Sequence, residues 1–129
     1  MAKTNGLKSK KVLLVEDDLA VVRALEKKLK QAGFLVLLAP DGAKGLRLAL
    51  LEHPDVVLLD IIMPRMDGVT MLKKLRQNSW GKKVPVIILT NLTNPDTEIE
   101  AVGAKISGYL VKTDWKIEDV INIIKKVVK

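Results

Sequence analysis

Short apolar runs alternate along this chain with longer segments in which apolar residues recur every three or four positions. Lys11–Val15 is the first run, rich in valine and leucine, the kind that forms a strand buried on both faces. Leu19–Ala32 then carries Val22, Leu25, Leu29 and Ala32 at helical spacing with lysines between, and Gly33 stops it. Leu35–Ala39 reads as a second strand, Pro40-Asp41-Gly42 as a turn, and Gly42–Glu52 as a second helix ended by Pro54. Val56–Leu59 is the third strand and delivers Asp60 at its end. After the loop Ile61–Asp67, a third helix turns Val69, Leu72 and Leu75 inward and leaves through Asn78-Ser79-Trp80-Gly81. Val84–Leu89 is a fourth strand. Asn94-Pro95 opens a fourth helix, an N-cap residue followed by proline at the first helical position. Gly108–Val111 is the fifth strand, and the last helix buries a single stripe of Ile117, Val120, Ile121, Ile124, Val127 and Val128.

Five strand–helix alternations imply an α/β domain, a parallel sheet with helices on both faces. Nearly half of the 129 residues are apolar, enough for one sizeable core. No repeat or linker divides the chain. Residues 1–10 read as a flexible basic leader without the apolar segment of a secretory signal, and 11–129 as the domain. Apolar runs are too short for a membrane helix. The absence of cysteine excludes disulfides and thiolate chemistry and fits a reducing compartment, so a cytoplasmic location is expected. The net charge of +7 raises the question of nucleic acid. The lysines are spread over polar helix faces, however, and two tryptophans, one tyrosine and one phenylalanine make no stacking platform. A solvated surface, with no direct nucleic-acid partner and no membrane, is the expectation.

In an open parallel sheet, ligands bind at the carboxyl ends of the strands. There the first strand ends in Glu16-Asp17-Asp18, the third in Asp60 and the fourth in Thr90, while Lys112 follows the fifth. Crowded carboxylates repel, and a hard divalent cation relieves them. Magnesium keeps several waters and leaves positions for a phosphoryl oxygen. A carboxylate beside that ion can attack phosphorus and form an acyl phosphate, whose charge a lysine and a hydroxyl then partner.

Leu58-Leu59-Asp60-Ile61-Ile62-Met63-Pro64-Arg65-Met66-Asp67-Gly68 resembles the phosphoacceptor segment of the receiver domains of two-component response regulators. Val15-Glu16-Asp17-Asp18 is similar to their acidic pocket, Ile88-Leu89-Thr90 to their switch threonine, and Tyr109-Leu110-Val111-Lys112 to their aromatic–lysine segment. The resemblance covers everything after the leader. It implies a doubly wound (βα)5, flavodoxin-like domain of strand order 2-1-3-4-5. It also implies that Asp60 is the phosphoacceptor and that Mg2+ or Mn2+ is held by Asp17, by Asp60, by Glu16 through water and by the backbone carbonyl of Ile62. Lys112 would pair with Asp60 and then with the phosphoryl group, Thr90 would turn towards that group, and Tyr109 would rotate inward. The implied partners are a sensor histidine kinase or histidine phosphotransfer protein and a downstream protein target. A homodimer through the last two helices and the strand between them is one arrangement receivers adopt, though no interface motif selects it here. No turnover of an external substrate is expected, and the chain ends where a receiver ends.

Other residues have plainer readings. Asp18 is expected to cap the first helix and Asp67 to set up the third. Met63 and Met66 are loop packing, and His53 is a solvated residue at a helix end. Trp80 and Trp115 are candidates for a partner surface. The chain departs from receivers in carrying Thr113 rather than proline after Lys112, and Asn91 rather than a small residue after Thr90. Ile62 and Leu92, both apolar, occupy positions that influence water in the family, so slow hydrolysis of the acyl phosphate is expected. Two rivals remain at this point. A phosphatase-like phosphotransferase usually carries a second aspartate two residues after the nucleophile, where this chain has Ile62. A binding module that has lost phosphorylation would lack site residues that are all present here.

Overall fold

The computed structural model describes residues 9–61, 63, 65–90, 106–111 and 116–128. Five parallel strands, β1 (Lys11–Val15), β2 (Leu35–Ala39), β3 (Val56–Leu59), β4 (Val86–Thr90) and β5 (Gly108–Val111), form one sheet in the order β2-β1-β3-β4-β5. The described helices are α1 (Leu19–Gln31), α2 (Gly42–Glu52), α3 (Gly68–Gln77) and α4 (Ile117–Val127). The helix expected from Asn94-Pro95 lies outside the described residues.

Side chains alternate across a strand, and here both alternating sets are apolar. Leu13, Val15, Val57, Leu59, Val86 and Ile88 face α2 and α3, where they pack with Ala49, Met71, Leu72 and Leu75. Val12, Leu14, Val56, Leu58, Ile87 and Leu89 face α1 and α4, against Leu25, Leu29, Val120 and Ile124. Burial on both faces is why these strands read as continuous apolar runs.

The helix starts are fixed locally. Asp18 caps α1, its Oδ1 accepting Ala20 N–H at 3.0 Å and Val21 N–H at 3.4 Å, as expected. Asp67 caps α3 by accepting Thr70 N–H at 2.8 Å. At the end of α1, Gly33 takes φ +97°, a conformation that glycine adopts at little cost. Ala32 is the C-cap of α1 and is exposed, so the inward stripe of that helix ends at Leu29.

β4 begins at Val86, two residues later than the apolar run predicts. Pro85 has no N–H to give a ladder, and the carbonyl of Val84 is engaged elsewhere. Arg76 Nη1 donates to that oxygen at 2.8 Å and to Gly81 O at 2.6 Å, tying the end of α3 to the approach to β4. Arg76→Ala removes both charge-assisted bonds from a part-buried site. Each contributes roughly 1.5–3 kcal/mol, less whatever water restores, so a loss of about 2–3 kcal/mol is expected in urea unfolding. A change below about 0.5 kcal/mol would mean that water replaces the guanidinium without penalty.

Candidate acidic site at the carboxyl edge of the sheet

The ladder carries the first site residues to the same edge. Val15 pairs with Leu59 in register, so the residues that follow, Glu16 and Asp60, leave β1 and β3 side by side. Both are anchored by the last rungs: Glu16 N–H donates to Ala39 O and Asp60 N–H to Val15 O, each at 3.0 Å. Glu16 is 2% exposed and Asp60 5%, whereas Asp17 is open to solvent. Glu16 Oε2 accepts Asp18 N–H at 3.0 Å, which ties the glutamate to the N-cap residue of α1. One carboxylate oxygen from each of Glu16, Asp17 and Asp60 lies within 4.8 Å of the others.

Three carboxylates at this spacing repel one another strongly unless a cation stands among them. All the donors are oxygens, two come from buried side chains and the third is exposed. That set suits a hard divalent ion which keeps waters on its open side, and it does not suit a closed nitrogen–sulfur site.

The segment after Asp60 turns back immediately. Gly68 N–H donates to Ile61 O at 2.8 Å, and the α-carbon of Gly68 lies so close to the β3 end that a Cβ there would sit 2.2 Å from Asp60 O and 2.8 Å from Ile61 Cα. The start of α3 therefore presses on the backbone that presents Asp60. Met63 and Met66 are half-buried against the α2–α3 side of the core, the loop packing expected of them.

A second set of contacts, missed in the sequence, ties this loop to α2. Asp41, read there only as part of a turn, is buried and caps α2 through Lys44 N–H at 2.9 Å. Its other oxygen accepts Arg65 Nη1 at 3.1 Å. The Asp41 carboxyl is held below the ordinary aspartate range chiefly by the Lys44 N–H, with burial opposing and the Arg65 guanidinium adding to the lowering. The partners are 24 residues apart in loops that carry no period, so no sequence signal pairs them.

Thr90 ends β4 opposite Val111, at the same edge. Tyr109 lies in β5 beside Ile88 and is 43% exposed, turned outward. Ile62, Asn91, Leu92, Lys112, Thr113 and Trp115 lie outside the described residues. His53 is exposed, but it takes a left-handed φ of 48° and stacks on Trp80, with ring centroids 4.2 Å apart. Trp80 is thus half-buried against His53 and the core rather than displayed. A shallow cavity of about 580 Å3 opens beside this pair, lined also by Asp55, Lys83 and Pro85. It sits at the amino ends of β3 and β4, away from the carboxylates. Among the described residues, no helix is long and apolar enough to cross a membrane.

A five-stranded parallel sheet of this order, with three clustered carboxylates at its carboxyl edge, is the arrangement the receiver resemblance implies, and comparison with known proteins agrees. The family model of the response regulator receiver domain matches residues 12–125, and the chain belongs to that family, the receiver domains of two-component systems. It is 40% identical over 107 residues to the transcriptional regulatory protein PrrA of Mycobacterium tuberculosis, covering 83% of this chain and 45% of that one. It is 36% identical over 104 residues to the response regulator PleD of Caulobacter vibrioides, covering 81% of this chain and 23% of that one. The chain thus spans less than half the length of these relatives. Among solved structures, the chemotaxis protein CheY4 of Vibrio cholerae superposes with a TM-score of 0.82 at 34% identity, over 93% of this chain and 99% of that one. The receiver domain of the sensor histidine kinase PA1611 from Pseudomonas aeruginosa, with magnesium coordinated in its active-site cleft, gives a TM-score of 0.84 at 28% identity. That match covers 94% of this chain and 98% of the other.

Proposed function

We propose that this chain is a phosphorylatable receiver, taking a phosphoryl group on Asp60 from a histidine kinase or a histidine phosphotransfer protein. The observation that carries the reading is the meeting of Glu16, Asp17 and Asp60 oxygens within 4.8 Å at the ends of adjoining strands. The magnesium ion in the cleft of the PA1611 receiver supports it.

In this reading Asp17 and Asp60 hold Mg2+ or Mn2+ directly, Glu16 holds it through water, and the backbone carbonyl of Ile62 completes the protein's share. The ion supplies positive charge that offsets the phosphoryl oxygens. Asp60 attacks the phosphorus in line; the new P–O bond forms as the P–N bond to the donor histidine breaks, and the departing imidazole nitrogen takes up a proton. Burial and the backbone bond to Val15 fix where Asp60 leaves the end of β3, so its carboxylate stays beside those of Glu16 and Asp17 as the donor arrives. Lys112 pairs with Asp60 and then with the added group, Thr90 turns its hydroxyl to it, and Tyr109 moves inward from its exposed position. The result is a changed protein-binding surface for a downstream target, with no turnover of an external substrate.

Intact mass after incubation with acetyl phosphate and magnesium tests this. One added phosphoryl group is expected on the wild-type chain, and none on Asp60→Asn or without metal. An adduct that survives Asp60→Asn, or a folded wild-type chain that never gains one, would refute the reading.

A further inference from the structure

The loop that follows Asp60 contains a residue in a costly conformation. Arg65 has φ 65°, in the left-handed region that side chains other than glycine, asparagine and aspartate seldom enter. Such a backbone persists only where surrounding contacts over-determine it. Two such contacts flank it. The Arg65 guanidinium donates to buried Asp41 at 3.1 Å, and the carbonyl of the next residue, Met66, accepts Gly42 N–H at 2.9 Å. Gly42 is the sole residue type that fits there, since a Cβ would lie 2.3 Å from that same Met66 oxygen.

Asp41 is itself tied to α2. It is buried, and its first oxygen is engaged by the start of α2. The Arg65 side chain is 70% exposed. An ion pair with one partner in solvent adds little to global stability, so its effect falls on where the loop sits. Asp60 and Gly68 close the loop at its base, and the bonds to Asp41 and Gly42 fix its far side to a helix that carries no pocket residue. Together with Met63 and Met66, which pack on the core, these bonds hold the described part of the segment that leaves Asp60.

We propose that Arg65 and Asp41 are positioning residues for the acidic pocket, a clasp that holds the loop after Asp60 in its metal-binding arrangement. The proposal rests on the receiver reading above, since it supposes that the pocket takes a divalent cation. Neither residue touches the ion or the phosphoryl group in this scheme. They act through the backbone between Asp60 and Gly68.

The test titrates magnesium alone into the full chain by calorimetry and follows hydrogen exchange of the Gly42 amide, the donor to Met66. Arg65→Ala is expected to bind magnesium about threefold to fivefold more weakly, the scale of one exposed ion pair, and to exchange the Gly42 amide faster. Its urea midpoint should stay at the wild-type value. Arg65→Lys, which keeps the charge, should recover most of the affinity. Asp41→Asn keeps a good helix cap but not the charge, and the double variant Arg65→Ala/Asp41→Asn should bind no more weakly than the weaker single variant. Wild-type affinity in Arg65→Ala, failure of lysine to rescue, or additive losses in the double variant would overturn the clasp. A wild-type chain that takes up no magnesium would overturn the receiver reading beneath it. The two failures are told apart by the Gly42 amide, which Arg65→Ala speeds only if the clasp holds the loop.

Discussion

Gly68→Ala is expected to cost the fold at least about 3 kcal/mol, the upper end of what overpacking does, and to displace Asp60. The obstruction is backbone. The added methyl would meet Asp60 O at 2.2 Å and Ile61 Cα at 2.8 Å, and neither can swing aside as a side chain does. Either α3 backs away from the sheet, opening the packing around Met71 and Leu72, or the end of β3 moves and takes the carboxylate with it. Gly33→Ala is the informative comparison. Nothing lies within 4 Å of a Cβ there, but φ is +97°, so the cost is conformational, about 1–2 kcal/mol. Urea unfolding should rank Gly68→Ala as clearly the worse of the two, and only Gly68→Ala should lose phosphoryl uptake. Equal losses, with uptake intact, would mean that the close approach at Asp60 is easily relaxed.

The second large effect follows from proposed metal binding. At a magnesium concentration a hundred times its dissociation constant, the folded chain should gain about 2.7 kcal/mol. For a domain of this size that raises the thermal midpoint by roughly 10 °C. Asp17→Asn should reverse the order of stability with conditions. In chelator the variant is expected to match or exceed the wild type, because one of three mutually repelling charges is gone from an exposed position. In magnesium it should fall below the wild type, since a direct ligand is lost. A thermal scan of both proteins in chelator and in magnesium makes the comparison. The same magnesium gain in both would remove Asp17 from the site.

Much of this was legible in the sequence because parallel strands buried on both faces leave a simple mark. The runs Val12–Val15 and Val56–Leu59 are apolar at every position, and the acidic residues directly after them fall at the carboxyl edge whatever the details of packing. Strand order came from family likeness, because no apolar run specifies its neighbour. The start of β4 was misplaced because Val84 looks like strand. What stops the strand is a proline and the guanidinium of Arg76 from the preceding helix. The Arg65–Asp41 pair and the His53–Trp80 stack were illegible for a related reason. Both join loop or helix-end residues more than twenty positions apart, where neither hydrophobic period nor turn chemistry records a partner.

The sheet also acts as a partition. Leu25 and Leu75 lie in separate clusters with a layer of strands between them, so changes at the two should affect stability independently, within about 0.5 kcal/mol of simple addition. In the terms of descent, one chain contains two half-cores that can drift at different rates. The side under α1 and α4 can be rewritten without disturbing the packing of α2 and α3 against the loop after Asp60. A lineage could therefore change one outer face of the domain generation by generation while inheriting the packing around the loop after Asp60 nearly intact.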